Sequence, residues 1–258
     1  MIEIVKPNTS LPIVFIHGSF ANANSWRKIM ENMQKDHDCL AVNLPGHGGI
    51  ADPKDFLNPT FEPEFKAIIK AIEANLDVRN GVHLVGHSYG GVVALAATMN
   101  KVLDVRKLTL FEPVAVTVLS TFDQEATLKE VDEFVEHYTA AHQQGEAMAC
   151  RYVMDFWGGA GSFEAIPPHV QIAMAEMTNN NLRHWDLCKS IVKVLADYQN
   201  LDIPVQLING EKSNSIAKTI VSSLDQNLPQ SKAHIIKEAS HFMITSHADR
   251  CIEILRNR

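Results

Sequence analysis

The chain has 258 residues, 46% of them apolar, and its 23 basic against 30 acidic side chains leave a formal charge of −7. That length supports one large domain with a core of its own and no need of disulfide staples. The negative balance excludes a nucleic-acid binder by bulk charge.

Cys39, Cys150, Cys188 and Cys251 lie far apart with no C-x-x-C pair, which fits a reducing compartment better than a metal site or a disulfide framework. The opening M-I-E-I-V-K-P-N shows no basic segment leading into an apolar run. No stretch approaches the about eighteen apolar residues of a membrane span, so a cytoplasmic protein without a membrane partner is expected.

Short β-branched runs alternate with segments of helical period through the first 110 residues and again after about residue 203. This is the pattern of an α/β fold, a mostly parallel twisted sheet with helices on both faces. Strands are expected at 2–5, 12–16, 39–43, 81–85, 106–111, 205–208 and 233–236, and helices at 25–34, 64–76, 90–100, 216–226 and 247–256. In the second of these helices Phe65, Ile68, Ile69, Ile72 and Leu76 share one face, which needs a sheet to lie on. Between 115 and 200 only helical period is found, at 122–141, 145–157, 168–177 and 182–198. Residues 115–200 are therefore read as an inserted all-helical cap, with 1–114 and 201–258 forming the core domain.

The segment V-H-L-V-G-H-S-Y-G-G, Val82 to Gly91, sets G-x-S-x-G between an apolar strand and a helix opening at Gly90. That is the setting of a nucleophile elbow, in which a sharp strand-to-helix turn presents the serine hydroxyl above the sheet. The turn forces Ser88 toward positive φ at a cost of roughly 1–3 kcal/mol, and Gly86 and Gly90 remove Cβ atoms that would collide. The first N–H groups of the following helix face any anion formed beside the serine. A bare G-x-S-x-G is also a common glycine-rich turn; the flanking strand and helix favour the catalytic reading.

With P-I-V-F-I-H-G-S-F at 12–20 followed by Trp26, N-L-P-G-H-G at 43–48 and K-E-A-S-H-F at 237–242, the chain resembles the α/β-hydrolase superfamily over nearly its whole length. The resemblance implies a mostly parallel eight-stranded sheet with a cap entering after the sixth strand. Seven strands are evident here, so the first of the eight is either absent or placed around residues 2–10. The resemblance also implies roles. Ser88 is the nucleophile, and the backbone amides of Ser19 and Tyr89 form the oxyanion hole, with Phe20 the alternative to Ser19. Imidazole both accepts a serine proton near neutral pH and returns it to a leaving group. Of the twelve histidines, His241, between the last strand and the final helix, matches the family's catalytic position. His17, His47 and His87 belong to the other motifs and brace loops.

The family's usual acid is missing, because Ser213 stands where most relatives carry the aspartate of G-x-x-D. Glu112, in L-F-E-P at 110–113, is the best replacement, since some relatives, a group of haloalkane dehalogenases among them, draw their acid from this strand end. A carboxylate closing an apolar strand also needs a partner for its burial. Glu211, or no direct carboxylate partner at all, remain the alternatives.

Dehalogenases and epoxide hydrolases of the superfamily attack with aspartate, whereas Ser88 suits acyl transfer. The expected function is a cofactor-independent serine hydrolase that cleaves carboxylic esters of small, largely apolar acyl groups through an acyl-serine. Its partner is a small molecule, and it works as a monomer or homodimer. Phe20, Phe156, Trp157 and Trp185 are expected to bind substrate, with Asp155, Phe163 and His184 nearby; packing within the cap is the competing role for each of these except Phe20, which lies outside it. A C–C bond hydrolase of ring-cleavage products is the alternative, with Arg151 and Arg183 as candidates to bind a dienoate, and a non-catalytic ligand receptor on the same fold is another. No H-E-x-x-H, strand-linked G-x-G-x-x-G or P-loop is present, so no metal or nucleotide cofactor is expected.

Overall fold

Among the described residues six strands pair side by side in the order β2-β1-β3-β4-β5-β6, every neighbouring pair parallel. The computed structural model describes residues 10–191 and 193–257, so the strand expected at 2–5 lies outside the described residues. The strands are β1 (Ile13–Ile16), β2 (Cys39–Val42), β3 (Val82–His87), β4 (Val105–Phe111), β5 (Val205–Gly210) and β6 (Ser231–Ile236). Beyond a 3-10 turn at Ala23–Trp26, the helices of the two sheet faces are α1 (Arg27–Met33), α2 (Glu62–Asn75), α3 (Tyr89–Met99), α10 (Ser215–Asn227), α11 (Met243–Ser246) and α12 (Ala248–Arg256). Between β4 and β5 the chain runs through α4 (Thr117–Thr121), α5 (Glu125–Gln143), α6 (Cys150–Gly158), α7 (Pro168–Glu176), α8 (Thr178–Ser190) and α9 (Leu195–Gln199).

Continuous apolar strands are needed because each strand feeds two cores. Val14, Ile16, Leu84, Leu108, Leu110 and Leu207 point into one cluster with Ile68 and Ile72 of α2, Val92 and Leu95 of α3 and Ile220 of α10. Their neighbours Ile13, Phe15, Val85, Phe111 and Ile208 point into the other, with Trp26, Ile29 of α1 and Cys251 and Leu255 of α12. Period-two alternation thus divides one apolar run between two helix layers. The order reverses between β1 and β3, and the crevice outside the carboxyl ends of strands at such a switch point is where α/β folds bind ligands.

The short helices α4 and α11 have no counterpart in the sequence expectation, and two expected helices have other bounds. The helix expected at 145–157 begins at Cys150, because Gly145 takes φ 83° and residues before it close the preceding helix. The single helix expected at 182–198 is broken into α8 and α9: Ile191 and Val194 adopt extended backbone, the conformation that β-branched residues favour. Asp197 then accepts the Val194 N–H at 2.9 Å and starts α9 afresh. Among the described residues no helix is long and apolar enough to cross a membrane.

Candidate active site

β3 delivers Ser88 at φ 55° and ψ −123°, immediately before the first residue of α3. The bend survives only with glycine on both sides. A Cβ on Gly86 would stand 2.3 Å from the Gly90 carbonyl oxygen, and one on Gly90 would stand 2.3 Å from both the Ile16 and His17 oxygens. The Ser88 N–H donates to the Phe111 carbonyl at 3.0 Å, and its own carbonyl accepts from Gly91 N–H at 2.9 Å. Peptide groups on both sides of the strained residue are thereby held, which is what keeps such a conformation populated.

Glu112 follows β4 at φ 43°, and its N–H donates to Ile208 at 2.9 Å. Its carboxylate is 1% exposed and fully engaged. Oε2 accepts the Nδ1–H of His241 at 2.7 Å, while Oε1 accepts the Gly210 N–H at 2.7 Å and the Ser213 hydroxyl. Burial on its own would raise the Glu112 carboxyl, but the His241, Ser213 and Gly210 donors outweigh it and hold it below the ordinary carboxylate range. An ionised acceptor at Nδ1 fixes the imidazole tautomer and leaves Nε2 as the basic nitrogen. The His241 carbonyl accepts the His87 Nε2–H at 2.8 Å, and Trp157 stacks on the ring at a centroid distance of 5.2 Å. Glu211 serves elsewhere: its carboxylate accepts the Glu238 N–H at 2.9 Å and braces the turn before His241.

Ser88 and His241 line one cavity of about 480 Å³, together with Ser19, Tyr89, Phe20, Trp157 and Trp185. The Gly18–Ser19 peptide is oriented by His17, whose Nδ1–H donates to the Gly18 oxygen at 2.8 Å and whose Nε2 accepts the Leu44 N–H at 3.0 Å. Among the described residues neither the Ser19 nor the Tyr89 N–H has a protein acceptor. Burial pushes His17 and His87 down to about 3, so both are neutral braces.

The structure does not bring every expected substrate-binding residue to the cavity. Phe156 is the correction: its ring packs face to face on Phe134 at 3.9 Å, within the helical segment and outside the cavity wall. It lies one position before Trp157, so the α6 helix turns the two side chains to different faces. Asp155 accepts the Phe163 N–H at 2.9 Å and shapes the glycine loop. Arg183 is spent on Asp55 at 2.7 Å and Glu64 at 2.5 Å, and Arg151 pairs with Glu146 at the surface. Sequence reasoning missed Val114, Met154, Ile166, Met174, Cys188 and Phe242 as cavity residues. Met174 had only the spacing of a packing residue, while Phe242 was signalled by adjacency to His241.

A crossover-connected parallel sheet, a strained serine at a strand-to-helix bend and a carboxylate–imidazole pair define the α/β-hydrolase class, and the chain belongs to it: a model of the alpha/beta hydrolase family matches residues 13–254. The chain is 24% identical to a pimeloyl-[acyl-carrier protein] methyl ester esterase of Aeromonas hydrophila over 95% of its own length and 94% of that protein's. A match of 34% identity to a putative 2-succinyl-6-hydroxy-2,4-cyclohexadiene-1-carboxylate synthase of Haemophilus influenzae spans 36% of this chain and 35% of that protein. Among solved structures, the 2-hydroxy-6-oxo-6-phenylhexa-2,4-dienoate hydrolase of Rhodococcus sp. strain RHA1 superposes with a TM-score of 0.70 at 18% identity, over 96% of this chain and 90% of that one.

Proposed function

We propose that the protein is a serine hydrolase of carboxylic esters with small, largely apolar acyl groups. The observation that carries this reading is the buried Glu112–His241 pair at 2.7 Å opening, with Ser88, onto one mostly apolar cavity. Ser88 Oγ attacks the ester carbonyl while His241 Nε2 takes its proton. The carbonyl oxygen becomes an oxyanion between the Ser19 and Tyr89 amides, where one such donor typically contributes roughly 3 kcal/mol. Collapse expels the alcohol oxygen, which takes the proton back from the imidazolium, and leaves an acyl-serine. Water, deprotonated by His241, then repeats the sequence and releases the acid. Glu112 stays ionised throughout and stabilises the imidazolium.

The helical segment between β4 and β5 acts as the cap, and Phe20, Trp157 and Trp185 contact the acyl group. The methyl ester esterase relative supports the ester class. The C–C bond reading is weakened, because no Lys or Arg lines the cavity among the described residues and both candidate arginines are engaged elsewhere. A dienoate carboxylate would therefore enter an apolar site unpaired, at considerable cost.

Labelling with a serine-directed fluorophosphonate and turnover of p-nitrophenyl esters from acetate to decanoate test the reading. Wild type is expected to label and to hydrolyse the shorter esters, and Ser88→Ala to do neither. Wild type inert to the whole panel overturns the assignment.

A further inference from the structure

Two consecutive residues of α8 grip the side chains of the two oxyanion donors. His184, 1% exposed, has its Nδ1 2.8 Å from Ser19 Oγ and lies flat on the Tyr89 ring, 3.7 Å between centroids and 9° between planes. Arg183 reaches Glu64, and Glu64 Oε1 accepts the Tyr89 hydroxyl at 2.9 Å. The same guanidinium holds Asp55 at 2.7 Å and the Thr60 carbonyl at 2.9 Å. About one helical turn earlier, Asn180 Nδ2 donates to the Pro45 carbonyl at 3.0 Å, and the His47 ring also stacks on His184, 5.3 Å between centroids. α8 is thus clamped to the core loops at the point where the donors emerge.

We propose that His184 and Arg183 are positioning residues that set the geometry of the oxyanion hole. The inference rests on the serine-hydrolase reading and adds residues outside the catalytic set to it. The Gly18–Ser19 peptide is fixed at its carbonyl by His17; in a trans peptide the N–H points the opposite way, so the remaining freedom is rotation of the loop about Ser19. Phe20, next in the chain, sits at φ 57°, a strained conformation that persists only while its surroundings hold it. The Ser19 hydroxyl tethered to His184 removes that rotation. Tyr89 is held on its face by the His184 stack and at its hydroxyl by Glu64, so the first N–H of α3 keeps its aim. A preorganised donor acts on the transition state and little on the bound ester. Loss of the tether therefore falls on kcat and leaves KM nearly unchanged.

A double-mutant cycle on Ser19→Ala and His184→Phe tests this, read with p-nitrophenyl butyrate and with an alkyl trifluoromethyl ketone, whose adduct with Ser88 carries an oxyanion. His184→Phe retains an aromatic face for Tyr89. Each single variant is expected to lose about 10-fold in kcat with KM within about 2-fold, and to bind the ketone about 10-fold more weakly. Because both changes break one bond, the double variant is expected to be no worse than the worse single. Losses that multiply, or a fall in kcat with ketone affinity unchanged, overturn the proposal. Thermal unfolding reports folding of each variant. Should His184→Phe fail to fold, Ser19→Thr, which keeps the hydroxyl, must restore the kcat and ketone affinity that Ser19→Ala loses; equal values for the two overturn the tether. Wild type inert to ester and ketone alike overturns the hydrolase reading and this one together, whereas an active wild type with unchanged variants overturns this one alone.

Discussion

At the carboxyl edge of the sheet Ser88 and Glu112 hold positive φ and Gly86 and Gly90 admit no Cβ. Across α6–α8, by contrast, Val153, Trp157, Met174 and Trp185 meet the cavity from ordinary helical backbone. Residues at the edge are held in strained backbone by hydrogen bonds and close contacts around them. Residues of the helical segment are fixed by packing, which tolerates exchange of shape. Substitution at the edge should therefore change chemistry, and substitution in the helices should change which acyl group fits.

The sharpest way to break this contrast is at the acid. Glu112→Gln keeps the shape of the side chain but permits the wrong imidazole tautomer, and kcat on a p-nitrophenyl ester is expected to fall about 10²-fold or more. Glu211→Gln, which loses only a brace on the Glu238 N–H, is expected to stay near wild type. Equal kcat in the two variants would show that His241 is not oriented from the end of β4.

Neutral buried histidines give the edge a second signature, in acid. His17 and His87 hold folded values of about 3 against an ordinary 6.5, chiefly through burial. Between those limits the unfolded chain binds protons that the folded chain does not. Stability is therefore lost as the pH falls below about 6.5, by about tenfold in the folding equilibrium per pH unit for each such histidine, and the loss levels off near the folded value. Urea midpoints measured from about pH 7 to about pH 4 should drop steeply, and His87→Gln should flatten the slope by close to one proton. A flat midpoint over that range would mean that these rings are not sealed from water.

The edge was legible in the sequence because its constraints are local. Only glycine fits at Gly86 and Gly90, so the elbow spells itself out within a few letters, and parallel strands buried on both faces read as short apolar runs. Glu112 was legible as a carboxylate closing an apolar strand, but its settled geometry depends on Gly210 and Ser213, far along the chain. The helical segment was legible as helices and not as a site. Phe156 and Trp157 are adjacent letters, and which of them faces the cavity depends on how α6 rolls against Phe134 of α5. Likewise α8 ended early because β-branched Ile191 and Val194 took extended backbone, a choice that helical periodicity does not register.

Those adjacent aromatics give the third test. Trp157→Ala removes a cavity wall and the stack on His241, and the chain-length profile over p-nitrophenyl esters is expected to shift toward longer acyl groups, with KM for the shortest rising about 10-fold. Phe156→Leu alters the Phe134 stack and is expected to lower thermal stability while leaving the profile where it was. Identical profiles in the two variants would show that α6 does not select the acyl group.

The smallest expected effect lies at Ser213, where the edge carries a spare donor. Its hydroxyl shares Glu112 Oε1 with the Gly210 N–H, so Ser213→Ala leaves the carboxylate oriented at both oxygens and His241 still paired. One hydrogen bond of about 1 kcal/mol corresponds to about 5-fold in kcat, well short of the loss expected for Glu112→Gln. The carboxyl, deprived of one donor, should protonate at a higher pH than in wild type. A carboxylate held below its ordinary range stabilises the fold above its unfolded value and stops doing so as the pH falls through its folded value. In Ser213→Ala that loss should begin at a higher pH than in wild type, which urea midpoints followed into the acid range would record. A drop as deep as that of Glu112→Gln would instead mean that Ser213 holds the carboxylate in place alone, with the Gly210 amide contributing little.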